Sequence, residues 1–110
     1  MYYTYILRCT DNSLYTGIAR NVPARLKEHR EKDIKGAKYT RSREILRLEA
    51  VFESADRSSA SRLEYAVKKL KKEKKEKLIL CPSLFSELFP HLPSGEYEFI
   101  SPEKLLGEEN

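Results

Sequence analysis

At 110 residues, with 40% hydrophobic and 35% charged side chains, the chain has apolar material for one core, which excludes a second catalytic domain and global disorder. Twenty-one Lys and Arg against 17 Asp and Glu leave a net charge of +4, a balance that favours a polyanionic partner without identifying one. Cys9 and Cys81 are the only thiols, too few for a disulfide scaffold and outside any closely spaced Cys/His metal cluster. The N-terminus lacks the pattern of an export signal, and no stretch reaches the roughly 18 apolar residues of a membrane span, so a reduced, cytoplasmic, membrane-free protein is expected.

Residues Tyr2 to Cys9 are rich in aromatic and branched side chains, and the polar triplet Asp11-Asn12-Ser13 separates them from a second such run, Leu14 to Ala19. This predicts a β-hairpin. With the triplet as its loop, Thr10 pairs with Leu14, Cys9 with Tyr15 and Tyr5 with Ala19. That register puts Tyr5 and Tyr15 on one face of the sheet, and a loop one residue longer or shorter separates them. Asn21 as N-cap and Pro23 in the first turn open a helix from Val22 to about Arg30. Val22 and Leu26 form its inward stripe, while Arg25 and His29, four residues apart, share another face.

Lys35 to Arg43 is basic and aperiodic and reads as a loop entering a short helical turn. Leu46 to Phe52 has the composition of a third strand. Asp56 or Ser58 caps the next helix, whose Ala60, Leu63, Val67 and Leu70 recur along one stripe. Glu64 lies about 90° from the centre of that stripe, on the boundary between core and solvent. Lys68 to Lys77 carries seven lysines and two glutamates and reads as helical or nearly so until Pro82. A solvated charged face and a nucleic-acid surface are both open readings of it. Beyond a domain spanning residues 1–80, Pro90, Pro93, Gly95 and Pro102 punctuate a tail, 81–110. Its apolar pieces, Leu84-Phe85, Leu88-Phe89 and Tyr97 to Ile100, are expected to pack on the domain or trail from it. His91 and the cysteines suggest no chemistry.

Each of these side chains is ordinary when taken singly. In order, however, Tyr3-Thr4-Tyr5, Tyr15-Thr16-Gly17, Arg25, His29 and Glu64 resemble the signature of the GIY-YIG nucleases, a family that includes the nuclease domain of excision-repair incision proteins. The likeness covers about residues 2 to 80. It is strongest to the small stand-alone bacterial members, which are also similar through Gly36-Ala37-Lys38-Tyr39-Thr40-Arg41 and through Leu63-Glu64-Tyr65 to Lys69. Two departures stand out: the first triplet reads Tyr-Thr-Tyr in place of Gly-Ile-Tyr, and Thr16 replaces the isoleucine of the second.

The resemblance implies an α/β fold, a three-stranded, mainly antiparallel sheet flanked by helices. It implies an endonuclease that hydrolyses phosphodiester bonds in DNA with Mg²⁺ or Mn²⁺, in DNA repair or processing, as a monomer or weak homodimer. RNA remains open as the substrate polymer. A DNA-binding module of the same fold with little catalysis is the alternative. By the same resemblance, Glu64 is the single protein ligand of the metal, which suits an ion that keeps most of its waters. Arg25 grips a phosphate oxygen with its planar fork. Tyr5 is the general base, with His29 as the acceptor that makes the two a relay, since a phenol titrating near 10 is a poor base at neutral pH. Tyr15 orients the water or supports that base. Gly17 leaves room for substrate backbone or the neighbouring helix, Asn21 reaches the edge of the site, and Lys38, Tyr39 and Arg41 hold the flanking strand.

Overall fold

The structure is a computed structural model and describes residues 1–34 and 44–107. In chain order it contains β1 (Tyr2–Cys9), β2 (Leu14–Ala19), α1 (Val22–Ile34), β3 (Ile45–Ser54), α2 (Arg57–Lys69), α3 (Lys72–Leu80), the short α4 (Phe85–Leu88), β4 (Glu98–Ile100) and α5 (Pro102–Leu106). The α/β class is as expected, but the sheet has four strands rather than three. Its order is β2-β1-β3-β4, and every pairing is antiparallel. The added strand comes from the Pro-rich tail, where a three-residue strand is too short to announce itself by alternation.

The β1–β2 hairpin forms in a register shifted from the expected one. Arg8 pairs with Leu14, Leu7 with Tyr15 and Tyr5 with Gly17. The loop takes in residues 9–13: the Cys9 N–H donates to the Ser13 carbonyl at 2.9 Å, the Asn12 N–H donates to the Cys9 carbonyl at 2.8 Å, and Asn12 adopts a left-handed φ of 71°. Asn tolerates that region better than most residues. Because the displacement is an even number of residues, Tyr5 and Tyr15 still share a face. What changes is the residue opposite Tyr5, now glycine instead of alanine.

Alternation along β1 divides the core between the two sides of the sheet. Tyr5 and Leu7 pack with Val22 and Leu26 of α1 and with Val51. Ile6 packs with Phe52 and with Leu63, Ala66 and Val67 of α2 on the opposite side. A bulge in the β1–β3 pairing between Ile6 and Leu7 puts Leu48 and Ala50 into different clusters, although a regular strand would align them. The tail closes both sides: Phe85 and Phe89 join the α2 cluster, and Leu105 and Leu106 of α5 pack on the α1 cluster.

Helix α1 runs on to Ile34, beyond the expected end near Arg30. Asp56 caps α2, accepting from the Ser59 N–H at 2.8 Å. The lysine run is not one helix, for α2 ends at Lys69 and α3 begins at Lys72, with Leu70 extended between them. No proline or glycine marks this break, so tertiary contacts select it. The turn brings Leu78 into the core and lets Glu76 meet the buried Arg8 through two hydrogen bonds of 2.6 Å. Glu49 of β3 joins the same guanidinium at 2.8 Å, and the arrangement holds the Glu76 carboxyl below its ordinary pKa. The outward lysines Lys71, Lys72, Lys74 and Lys77 stay exposed.

Candidate active site

Tyr5, on the central strand β1, is wholly buried, whereas Tyr15, on the edge strand β2, is 43% exposed. Their rings tilt against each other at 6.4 Å, and His29 from α1 presents its edge to both, at 6.5 Å from Tyr5 and 5.4 Å from Tyr15. The Tyr5 hydroxyl and His29 Nε2 lie 3.3 Å apart. Opposite Tyr5 sits Gly17, and a Cβ built there would fall 2.6 Å from the Tyr5 hydroxyl oxygen and 3.2 Å from the Tyr15 ring. The space at Gly17 is therefore taken by the two phenols, not by substrate or by helix α1, the occupants expected from sequence. The glycine lets the Tyr5 ring lie across the strand and reach His29.

Arg25, one helical turn before His29, donates to the Ile18 carbonyl at 3.3 Å and pairs with Glu28 at 3.2 Å in an exposed contact, of a kind worth less than about 1 kcal/mol. Glu64 sits on the rim of α2, its side chain 24% exposed and paired with Lys68 at 3.2 Å. Thr4 connects that helix to the sheet. Its side chain points to the side opposite Tyr5, and its hydroxyl donates to the Ala60 carbonyl at 3.0 Å within the core. Ala60 precedes Glu64 by four residues, so the same carbonyl is the helical acceptor for the Glu64 N–H. Thr4 and Thr16, the two departures from the motif, both point to the α2 side; Thr4 finds this partner, while the Thr16 hydroxyl is buried without one among the described residues.

The electrostatics of Tyr5 join the remaining members. Burial is the main cause that pushes its pKa up to about 12; Tyr15 and Glu64 add to the rise, while the Arg25 charge and hydrogen bond oppose it. The phenol is thus a neutral donor to His29 Nε2, with roughly one molecule in 10⁵ ionised at pH 7. A phenol whose folded pKa lies above its unfolded value of 10 keeps its proton longer when folded. Its contribution to stability is accordingly complete below about pH 10 and lost as pH rises toward 12. In alkaline titration followed by phenolate absorbance, the difference between wild type and Tyr5→Phe is expected to stay flat until about pH 11. A difference curve centred near 10 would show that the hydroxyl is solvated.

Five sequence-predicted residues, Tyr5, Tyr15, Arg25, His29 and Glu64, are thus linked by contact or by charge. Asn21 caps α1, its side-chain oxygen accepting from the Ala24 N–H at 3.0 Å. Lys38, Tyr39 and Arg41 lie outside the described residues. Among those described, no cluster of three or more Asp, Glu, His or Cys side chains converges. The donor set that Glu64 offers, one half-exposed carboxylate beside solvent, fits an ion bound through a single carboxylate and its own waters, as Mg²⁺ or Mn²⁺ is. The motif leaves out a cavity of about 320 Å³ on the far side of Arg25, lined by Tyr2, Arg20 and Arg57. Arg20 ends β2 and Arg57 begins α2, and no periodicity joins them. Among the described residues, no helix is long and apolar enough to cross a membrane.

Comparison with known proteins matches residues 1–77 to the model of the GIY-YIG catalytic domain. A UPF0213 protein of Fusobacterium nucleatum is 46% identical over 84 residues, covering 76% of this chain and 82% of the relative. Another, from Desulfotalea psychrophila, is 44% identical over 78 residues, covering 71% and 70% respectively. The solution NMR structure of a UPF0213 protein from Bacillus halodurans is 46% identical with a TM-score of 0.46, covering 72% of this chain and 83% of that one.

Proposed function

The chain belongs to the GIY-YIG nuclease family, and from that premise we propose that it is a metal-dependent endonuclease hydrolysing phosphodiester bonds in DNA, in its repair or processing. The observation that carries this reading is the meeting of Tyr5, Tyr15, His29 and Arg25 on one side of the sheet, within electrostatic reach of Glu64. Hydrolysis needs a water oxygen to attack phosphorus, a route for the water's proton, and charge stabilisation as the bond to the leaving oxygen breaks.

Glu64 is the residue that would hold a divalent ion, and Lys68 must release it first, at little cost for a half-exposed pair. When bound, such an ion stabilises charge on the phosphate and on the leaving oxygen. Arg25, already hydrogen-bonded at the wall of the site, gives up the weak Glu28 contact for a phosphate oxygen. Tyr5 does not act as a preformed phenolate. As it accepts the water's proton, its own passes to His29 Nε2, so the proton finishes on the imidazole and no buried phenolate forms. Tyr15, the exposed phenol beside that imidazole, orients the attacking water.

The test is cleavage of labelled single-stranded, duplex and branched DNA by the full chain with Mg²⁺ or Mn²⁺, against the same reaction with chelator. Metal-dependent product from one of these is the expected result, and the substrate cut fastest narrows the role. One observation favours a second reading, a DNA-binding module of the same fold: Tyr5 is wholly enclosed. Salt-sensitive binding with no product under either metal would replace the nuclease reading with that one.

A further inference from the structure

We infer that the cavity beside Arg25 is a subsite for a phosphate of the DNA strand next to the scissile one. This rests on the nuclease reading for the position of the scissile phosphate, but not for the binding itself. The cavity has a volume of about 320 Å³ and brings together Arg20, Arg25 and Arg57 with Tyr2, Asn21 and Glu28. Three guanidinium groups from the end of β2, from α1 and from the start of α2 thus face one small space. The only carboxylate in its wall, Glu28, pairs with Arg25. Among the described residues Arg20 and Arg57 have no carboxylate partner, so the cavity carries uncompensated positive charge.

Two further features prepare it for an anion. The Arg20 guanidinium lies over the Tyr2 ring, 5.8 Å from its centroid, which limits the freedom of an otherwise exposed side chain and leaves its donors for a ligand. The ring face so covered is no platform for a base, and this favours backbone recognition over base stacking. The capped first turn of α1 also forms part of the wall, so its partial positive charge adds to that of the arginines. Arg25 belongs to both places. From Arg25 to Asn21 is one turn of helix, about 6 Å, the axial rise of one to two nucleotides at roughly 3.4 Å each. A strand gripped at Arg25 therefore continues into the cavity, and its contacts there set position without reading sequence.

The experiment measures binding of a fluorescein-labelled oligothymidylate by anisotropy in chelator, where no cutting occurs, across a salt series. It compares wild type, Arg20→Gln/Arg57→Gln and the charge-matched Lys74→Gln/Lys77→Gln on α3, each checked for an unchanged thermal transition. The arginine pair is expected to weaken binding about tenfold or more and to reduce the salt slope by about 1.4, two charges at roughly 0.7 each for a single strand. The lysine pair is expected to change affinity less than about threefold. Tyr2→Phe, which keeps the ring under Arg20, is expected to bind like wild type. Equal losses from the two pairs, or an arginine pair that binds like wild type, would overturn the subsite. Binding lost with the arginines in a protein that never cuts would leave the subsite standing and remove the nuclease reading; cutting with unchanged binding would do the reverse.

Discussion

Glu64→Gln is expected to lower the cleavage rate by about 10³-fold or more, roughly 4 kcal/mol of transition-state stabilisation. The size follows from the isolation of the carboxylate. Among the described residues no second acidic, His or Cys side chain stands with others to form a replacement metal site, so a neutral amide of the same shape leaves the ion without an anionic ligand. The cost to folding is small, because the group lost is half-exposed and its contact is an exposed pair with Lys68. Single-turnover cleavage across a Mn²⁺ titration, alongside thermal unfolding, separates the two effects. A folded variant that cuts within tenfold of wild type would place the metal, or the chemistry, elsewhere.

Tyr5→Phe and His29→Ala are each expected to reduce kcat by about 10² to 10⁴, the range for loss of a proton-transfer group. The informative variant is the double one. With Tyr5 pushed up to about 12 and its hydroxyl 3.3 Å from His29 Nε2, neither group accepts the proton well alone, so the double variant is expected to be no slower than the worse single one. Multiplying effects would mean that the two residues act independently. Tyr5→Phe keeps the ring in the pocket that Gly17 leaves open, so loss of activity in that variant reports on the hydroxyl and not on packing.

The sequence order of tyrosines, arginine, histidine and glutamate was enough to anticipate which side chains meet, because the spacings within the hairpin and within α1 are local. The register of that hairpin was not legible: Asp11-Asn12-Ser13 marks the turn, but the left-handed Asn12 and the hydrogen bonds from Cys9 to Ser13 decide how much chain it consumes. The purpose of Gly17 depended on that register and was missed with it. The break at Leu70 and the fourth strand escaped for another reason. Both are selected by partners distant in sequence, Arg8 for Glu76 and Val51 to Glu53 for Glu98 to Ile100, and no local pattern encodes them. The buried state of Tyr5 likewise depends on both faces of the sheet being covered.

The hydroxyl of Thr4 has a bearing on how the site comes apart. Thr4 and Tyr5 are consecutive, yet one is fastened to the turn that presents Glu64 while the other meets His29 on the opposite side. The two halves of the centre are therefore referenced to a single dipeptide in the middle strand. Fraying that begins at the outer end of α2 or at the edge strand can progress some way before the Glu64 amide loses its acceptor. In hydrogen-exchange terms that amide belongs with the slowest, globally opening protons rather than with the surface of its helix. A rim carboxylate, open to solvent and ready to exchange ligands, is thus mounted on one of the least mobile points of the backbone.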